Sequence, residues 1–409
     1  MVFYLKNYLI FNNTTMSILS DRINNLSTSQ TLAMAALARE LKTQGKDIIS
    51  LSLGEPDFNT PDFIKEAAKK AIDENYSTYT PVDGYVELKE AICRKFKRDN
   101  NLDYKPANIV VSTGAKQSLY NVAQVMLNDG DEVILPAPYW VSYYEIIKLS
   151  GGVPVEVPTS VESDFKMTAE ELEKAITPKT KMMWFSSPCN PSGSVYNREE
   201  LEAIGKVLEK YPNIYIVSDE IYEHINFSGT FCSIASIPGL FERTITVNGV
   251  AKAFAMTGWR IGYIGAPEFI AKACTKMQGQ VTSGANSIAQ RATITAVDAN
   301  PSVLNDMVSA FKNRRDLVVA LAQEIPGFKI NVPEGAFYLF PDVSAYFGKT
   351  LRGKTINNAD DFSMYLLSEA NVATVTGDAF GNPNCIRLSY ATSEDLLTEA
   401  FKRIKEVLA

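Results

Sequence analysis

Two cationic residues and a carboxylate stand beside apolar runs of the sequence. A segment on the solvated surface would contain more polar residues than these runs do. Lys252 and Arg260 flank the mainly apolar segment KAFAMTGWR, which follows the run TITVN. Asp219 ends a second apolar run, IYIVSD, and Tyr222 follows it three residues later. A buried carboxylate is costly without a cationic partner, so these side chains indicate one shared polar site. An N-cap aspartate is an equally good explanation of Asp219 taken alone.

Three further runs are followed by residues that suit a planar, phosphorylated ligand. After IVVS, Gly114, Ala115 and Lys116 open a helical pattern, and backbone N–H groups at a helix N-terminus bind phosphate. After DEVILP, Trp140 offers a ring for stacking, and after KMMWFS, Asn190 stands between two prolines that fix its amide. Ordinary turns and a core tryptophan explain each feature singly. As a set, they match the needs of a phosphorylated, cationic pyridine aldehyde.

The elements that position these residues follow an α/β pattern between about residues 105 and 265. Apolar runs alternate with amphipathic helical segments such as 116–127 and 198–210, the second with Asn197 as its N-cap. Runs that are apolar throughout predict strands buried on both faces of a parallel sheet, whose ligands bind at the carboxyl ends. The predicted strands are 108–112, 131–136, 153–158, 181–186, 214–219, 243–248 and 260–265.

The length of 409 residues predicts a large domain and a smaller one. We expect residues 58–304 to form the large domain, and residues 20–57 and 305–409 to pack together as the small one. Residues 1–19 are expected to be an N-terminal extension, and Met16 is an alternative start.

Composition excludes several classes of function. A net charge of −7 argues against nucleic acid or an anionic membrane as the main partner, and no apolar stretch reaches the roughly 20 residues of a membrane span. Five scattered cysteines without a CxxC pair predict reduced thiols and a cytoplasmic location. The single histidine, His224, nearly excludes a zinc site with several such ligands, and a Ser-His-Asp hydrolase would depend on it alone.

The motifs in combination resemble the class I/II aminotransferases of the aspartate aminotransferase superfamily. They are NPSG from Asn190, SDEIY up to Tyr222, NGVAKAFAMTGWRIGY around Lys252, and RLSY from Arg387. The segments LGEPDFNTP, YTPVDG, GAKQ, APYWVSY and RLSYATSE are most similar to the bacterial aspartate aminotransferase branch. The resemblance covers residues 20–409. It implies an α/β protein of pyridoxal-phosphate-dependent fold type I, with a mostly parallel seven-stranded sheet and a smaller α/β domain from both termini.

The resemblance also implies a role for individual residues. Lys252 would hold pyridoxal 5'-phosphate as a Schiff base and Asp219 would pair with its ring nitrogen. Arg387 would bind the substrate α-carboxylate as a bidentate pair, assisted by Gly54 and Asn190. Tyr222, Asn190 and Trp140 would contact the ring, and Trp140 would also contact the substrate. The phosphate would be bound by Gly114, Ala115, Lys116, Arg260 and, in a homodimer, the Tyr79 of the neighbouring subunit.

Two positions depart from the family pattern. Many relatives carry a phosphate-binding serine three residues before the lysine, and a serine directly before it; here these positions are Gly249 and Ala251. Phosphate binding is therefore expected to depend more on Arg260, on the loop around Lys116 and on Tyr79.

The implied reaction is ping-pong transfer of an amino group between an amino acid, L-aspartate above others, and 2-oxoglutarate. Dicarboxylic substrates need a cation for the distal carboxylate. One branch of the family places an arginine in the region of 270–290, where the segment 277–290 offers none here. The other branch resembles this chain in placing a lysine at Lys116. Lys116 is therefore our candidate, with an ordinary phosphate-loop or surface lysine as the alternative.

Other activities on the same fold remain as alternatives at this point. They are an aromatic, kynurenine or alanine aminotransferase, and a β-lyase that cleaves C–S bonds. A cofactor-sensing regulator would carry an added helix-turn-helix, and the segment before Ser20 is too short and too weakly basic for one.

Overall fold

The computed structural model describes residues 18–229 and 231–409, and most of the predicted extension 1–19, with Met16, lies outside them. The helices of the described residues are α1 Asp21–Asn24, α2 Gln30–Thr43, α3 Asp62–Asp73, α4 Val86–Asn100, α5 Ala115–Met126, α6 Ser142–Leu149, α7 Ala169–Ala175, α8 Arg198–Glu209, α9 Glu268–Val281, α10 Ser287–Asp298, α11 Asn305–Gln323, α12 Ala359–Tyr365 and α13 Glu394–Leu408. The strands are β1 Ile49–Ser50, β2 Ile109–Ser112, β3 Glu132–Ala137, β4 Val153–Pro158, β5 Thr180–Ser186, β6 Tyr215–Asp219, β7 Thr244–Gly249, β8 Gly262–Gly265, β9 Tyr338–Leu339, β10 Thr350–Leu351, β11 Lys354–Thr355, β12 Val372–Ala373, β13 Val375–Thr376 and β14 Ile386–Ser389.

Seven strands form one sheet in the order β2-β8-β7-β6-β5-β3-β4. Only β8 runs antiparallel to its neighbours, β2 and β7; the other pairs are parallel. The strands β2, β7 and β8 are buried along their whole length, as expected for strands covered on both faces. The predicted fold class, with its seven strands, is confirmed.

Two apolar clusters cover the two faces of the sheet. One joins strand residues such as Trp184 to Leu119 of α5 and Ile270 of α9. The other joins strand residues such as Ile216 to Leu172 of α7 and Leu201 of α8. These helices hold the sheet rigid from both sides, so the strand ends offer a fixed frame for a site.

Helix α8 begins as its sequence predicts. The Asn197 side chain accepts a hydrogen bond from the Glu200 backbone N–H at 2.9 Å, and the Glu200 carboxylate accepts one from the Asn197 N–H at 2.8 Å. This reciprocal pair satisfies two backbone donors that the first turn leaves free.

The N-terminal segment and the tail of the chain share a sheet. Strand β1 pairs in parallel with β12, while β9, β14 and β13 form an antiparallel sheet. This pairing is consistent with a small unit built from both ends of the chain, and its boundaries at residues 57 and 305 stay a prediction. Among the described residues, no helix has the length and apolar character needed to cross a membrane.

Candidate active site

Lys252 follows strand β7, beside the end of β6. Its Nζ donates a hydrogen bond to the carbonyl oxygen of Gly54 at 2.6 Å and lies 5.7 Å from the centre of the Tyr222 ring. Loss of water around the amine, and then the positive charge of Arg387, lower the pKa of Lys252 to about 8. Far more of this amine than of an ordinary lysine is therefore neutral near physiological pH, and the neutral form is the one that attacks an aldehyde.

Asp219 is the last residue of β6 and is only 5% exposed. Its Oδ2 accepts a hydrogen bond of 2.6 Å from the Tyr143 hydroxyl, and its Oδ1 accepts one of 3.2 Å from the Ile221 N–H. Burial raises the pKa of Asp219, while the bond from Tyr143 opposes this rise. Tyr143 was not predicted as a site residue, although it lies in the segment APYWVSY.

Arg387 is buried at 1% exposure, yet no carboxylate forms an ion pair with it within residues 18–229 and 231–409. Its Nη1 donates to Oδ1 of Asn190 at 2.9 Å and its Nη2 to the carbonyl of Ser52 at 2.6 Å. Its Nε is buried without a hydrogen-bond partner in the same residues. A buried charge normally has an ionic partner, so this guanidinium is suited to an anionic ligand.

Tyr338 is a second residue that sequence reasoning missed. Its hydroxyl shares a hydrogen bond of 2.7 Å with the Tyr222 hydroxyl, and its ring lies 4.6 Å from the Arg387 guanidinium carbon. A Cβ at Gly54 would collide with the same hydroxyl, which explains the glycine. The sequence of the segment GAFYLFPDVS does not indicate a site residue, because its aromatic residues are typical of a hydrophobic core.

The predicted phosphate loop lies between β2 and α5. Gly114 caps α5 with a φ of +82°, and a Cβ there would collide with the Arg260 guanidinium. Gly262 has no room for a side chain against the backbone nitrogen of Ala115. Arg260 donates to the carbonyl of Thr257 at 2.9 Å. The glycines thus bring an arginine against the free N–H groups of a helix N-terminus, the arrangement that binds phosphate.

Gly249, where many relatives carry serine, is tightly packed. A Cβ at this position would lie 3.0 Å from the carbonyl oxygen of Ile261 and 3.1 Å from the Cα of Gly262. A serine here would require β8 to shift by a few tenths of an ångström, so the close packing of the sheet favours glycine at this position.

Lys116 and Trp140 lie together at the same sheet edge. The Lys116 ammonium is 4.9 Å from the centre of the Trp140 ring, a cation–π distance. Burial, and then the charge of Arg260, lower the pKa of Lys116. Lys116 therefore contributes to a cationic region that also includes Arg260, rather than standing alone on the surface.

Tyr79 does not contact the other predicted site residues within the described part of this subunit. It is 98% exposed, and no hydrogen bond or ring contact joins it to the other predicted residues in the described part of the chain. Its predicted contact with the phosphate requires a second subunit.

Two buried glutamates that follow Asp219 in the sequence differ in charge. Glu220 Oε1 accepts from the hydroxyls of Ser218 at 2.9 Å and Ser233 at 2.6 Å, and burial raises the pKa of Glu220 to about 8. Glu223 accepts from Lys95 and from Asn248. Although burial acts in the opposite direction, the Lys95 ammonium and its neighbours hold the pKa of Glu223 at about 2. Glu220 is thus a neutral acid and Glu223 an ionised one.

We expect Glu220→Gln to flatten the pH dependence of stability. The folded state keeps the Glu220 proton up to about pH 8 whereas the unfolded chain releases it above about 4.5, so this group's stabilisation is complete below pH 4.5 and declines toward pH 8. Relative to the original protein, Glu220→Gln should therefore be more stable at pH 8 than at pH 5, by on the order of a few kcal/mol. Urea unfolding at both pH values measures this difference.

Glu223→Gln is the matched comparison. It removes the nearer charged partner of the buried Lys95 ammonium and leaves only Asp99 at 3.7 Å, so it should destabilise the protein at both pH values, by up to about 3–5 kcal/mol. The difference in unfolding free energy between Glu220→Gln and the unaltered protein should depend on pH. If this difference is the same at pH 5 and pH 8, Glu220 is not neutral in the folded protein.

The family model for aminotransferase class I and II matches residues 46–404. The chain belongs to the class I and II aminotransferases. It is 49% identical over 397 residues to an aspartate/prephenate aminotransferase of Cereibacter sphaeroides, covering 96% of this chain and 99% of the relative. This confirms the predicted resemblance and the predicted enzyme class, an aminotransferase that transfers an amino group.

Solved structures of other aminotransferases share the fold. The aspartate aminotransferase from Rhizobium meliloti superposes with a TM-score of 0.92 at 44% identity, covering 95% of this chain and 98% of that one. The aspartate aminotransferase from Thermus thermophilus, solved with maleate, gives a TM-score of 0.89 at 42% identity, covering 95% and 99%. The aminotransferase family depends on pyridoxal phosphate. The roles of individual residues stay predictions.

Proposed function

We propose that this aminotransferase binds pyridoxal 5'-phosphate and transfers the amino group of L-aspartate to 2-oxoglutarate by a ping-pong mechanism. The observation that carries the proposal is the buried Arg387 without a carboxylate partner, in a site that also contains the low-pKa amine of Lys252. An amino acid offers the carboxylate that Arg387 lacks, and an aldehyde offers the partner that a neutral lysine amine attacks.

The residues present fit the cofactor. Lys252 would bond its aldehyde carbon, and the buried carboxylate of Asp219 would face its ring nitrogen. The loop of Gly114 and Ala115, with Arg260, would hold its phosphate, since a Cβ on Gly114 would fill the space beside that arginine. The other proposed ring contacts are those of Trp140, Asn190 and Tyr222.

Each side chain has a defined task in the reaction. Pyridoxal phosphate supplies an aldehyde for the amino group and a ring that accepts electrons from the substrate Cα. Lys252 would take the proton from Cα and return it to the cofactor carbon that carried the aldehyde, a step that general acid–base catalysis accelerates about 10²–10⁴-fold. Asp219 keeps the ring nitrogen protonated, and Arg387 with Asn190 fixes the α-carboxylate so that the Cα–H bond faces the lysine amine.

Relatives support aspartate as the donor and add a second acceptor. The C. sphaeroides relative acts on aspartate and prephenate by its name, and the T. thermophilus enzyme was solved with maleate, a dicarboxylate. Lys116, desolvated and beside Trp140, is the proposed partner of the distal carboxylate. Prephenate also has a second carboxylate, so we propose it as an alternative amino acceptor.

Lys116→Ala tests this assignment. We expect the KM for aspartate to rise about tenfold or more, the loss of one charge-assisted contact, while the KM values for alanine and phenylalanine change little. Initial rates with 2-oxoglutarate as acceptor give these constants, and the yellow protein should lose its colour with the preferred donor.

The matched control is Lys148→Ala, which removes a lysine that lies 5.3 Å from the Tyr144 ring, outside the site. Equal changes for all three donors would eliminate Lys116 as the specificity residue. Release of pyruvate and ammonia without an oxo acid would instead indicate a C–S β-lyase.

The assembly we propose is a homodimer in the cytoplasm. Tyr79, exposed on one subunit, would complete the phosphate site of the other. The five cysteines are all free, which suits a reducing compartment. Residues 58–304 would form the cofactor domain, and 20–57 with 305–409 the small domain.

A further inference from the structure

Tyr143 contacts both groups that we propose lie against the cofactor ring, the Asp219 carboxylate and the Trp140 ring. It is fully buried on α6, which follows the end of β3. Its hydroxyl donates to Oδ2 of Asp219 at 2.6 Å, and Asp219 ends β6. Since β5 lies between β3 and β6 in the sheet, the phenol reaches across the end of β5 to make this bond.

The Tyr143 ring is itself held between two tryptophans. The Trp140 ring meets it edge-on at 5.6 Å between centres, and the Trp184 ring does so at 5.9 Å. The Tyr143 N–H also donates to the Trp140 carbonyl at 2.9 Å. The hydroxyl that meets Asp219 and the ring proposed to stack on the cofactor therefore move as one unit.

We infer that Tyr143 is a positioning residue, whose hydroxyl fixes the plane of the Asp219 carboxylate and holds it ionised toward the ring nitrogen of the cofactor. This inference rests on the proposed cofactor site. Tyr143 occupies Oδ2 and the Ile221 N–H approaches Oδ1, so the carboxylate cannot rotate freely. A fixed, ionised acceptor binds a ring N–H more strongly than a free one.

The charges around the pair agree with this role. Burial raises the pKa of Asp219, and the bonds from Tyr143 and Ile221 and the charge of Lys252 act against it. Tyr222 also faces Asp219, and Cys189 faces Tyr143. Burial also keeps the pKa of Tyr143 well above its usual value, so the phenol stays a donor throughout the working pH range.

Tyr143→Phe removes the hydroxyl and keeps the ring. We expect the Kd for pyridoxal phosphate to rise about tenfold, the effect of one hydrogen bond to a charged group. The pH midpoint of the bound cofactor's visible absorbance should rise by about one unit, because a ring nitrogen that holds its proton less firmly withdraws less charge from the bond to Lys252. The kcat should fall while the KM for aspartate changes little.

Tyr144→Phe is the control, because it removes a hydroxyl from the next residue of the same helix, whose ring packs on Tyr139 instead. In an Asp219→Asn background, Tyr143→Phe should have no further effect on Kd or on the pH midpoint. The cofactor-free Tyr143→Phe protein should fold with a urea unfolding midpoint somewhat below that of Tyr144→Phe, because Oδ2 of Asp219 loses its donor.

Two results would overturn the inference. One is a Tyr143→Phe protein whose Kd and pH midpoint equal those of Tyr144→Phe. The other is an equal effect of Tyr143→Phe with and without Asp219→Asn, since the hydroxyl would then act elsewhere. Failure of the unaltered protein to bind pyridoxal phosphate would instead reject the proposed function, so the two failures are distinguishable.

Discussion

Lys252→Ala is expected to reduce kcat for amino transfer by about 10⁴-fold, the upper end of what a positioned acid–base group supplies. The substitution removes the amine that we propose attacks the aldehyde and takes the Cα proton. Its neighbours, Asp219 and Arg387, remain in place, so the variant should still bind pyridoxal phosphate and aspartate. Steady-state rates with aspartate and 2-oxoglutarate measure the loss.

A chemical label provides the second part of this test. Borohydride reduces the bond between a lysine amine and the cofactor aldehyde, and peptide mapping of the unaltered protein should find the label on Lys252. The exposed Lys276 on α9 is the control position, and Lys276→Ala should keep both label and rate. A label on another lysine, or substantial activity in Lys252→Ala, would reject the proposed reaction.

Arg387→Lys is expected to raise the KM for aspartate and for 2-oxoglutarate about 10²-fold, while the Kd for pyridoxal phosphate changes little. The guanidinium bonds Asn190 and the Ser52 carbonyl through its two terminal nitrogens, and it still has a buried Nε without a partner. A lysine carries the same charge on a single nitrogen, so it cannot hold these partners and a carboxylate in one plane.

Arg243→Lys provides the control for this substitution. Arg243 is also buried and bonds two backbone carbonyls, those of Leu208 and Tyr211, away from the site. Its replacement should leave both KM values unchanged. Arg387→Lys with an unaltered KM would mean that the substrate carboxylate binds elsewhere.

The seven-stranded sheet could be predicted because its strands are short, apolar and separated by turn residues. The places of Asp219 and Lys252 beside strand ends could be predicted for the same reason, since a charged residue stands out at the end of an apolar run. Arg387 and Asn190, by contrast, required the family resemblance for their roles, because the bond between them joins residues 197 positions apart.

The supporting residues could not be predicted in the same way. Tyr143 and Tyr338 occur among other aromatic residues, a pattern typical of a hydrophobic core. Only the folded structure shows that their hydroxyls form hydrogen bonds with polar partners. Ser52 acts through its backbone carbonyl, which no side-chain pattern reveals. The neutral state of Glu220 depends on complete burial beside Ser218, on the same face of the strand end.

The bond between Arg387 and the Ser52 carbonyl spans 335 positions of the chain. During synthesis on the ribosome, the segment that carries Ser52 emerges early and Arg387 only near the end. A nascent chain can therefore complete the sheet that carries Asp219 and Lys252 before Arg387, the proposed partner of the substrate carboxylate, is available. The proposed site for the substrate α-carboxylate is therefore completed last, when the carboxyl-terminal segment docks on the amino-terminal one.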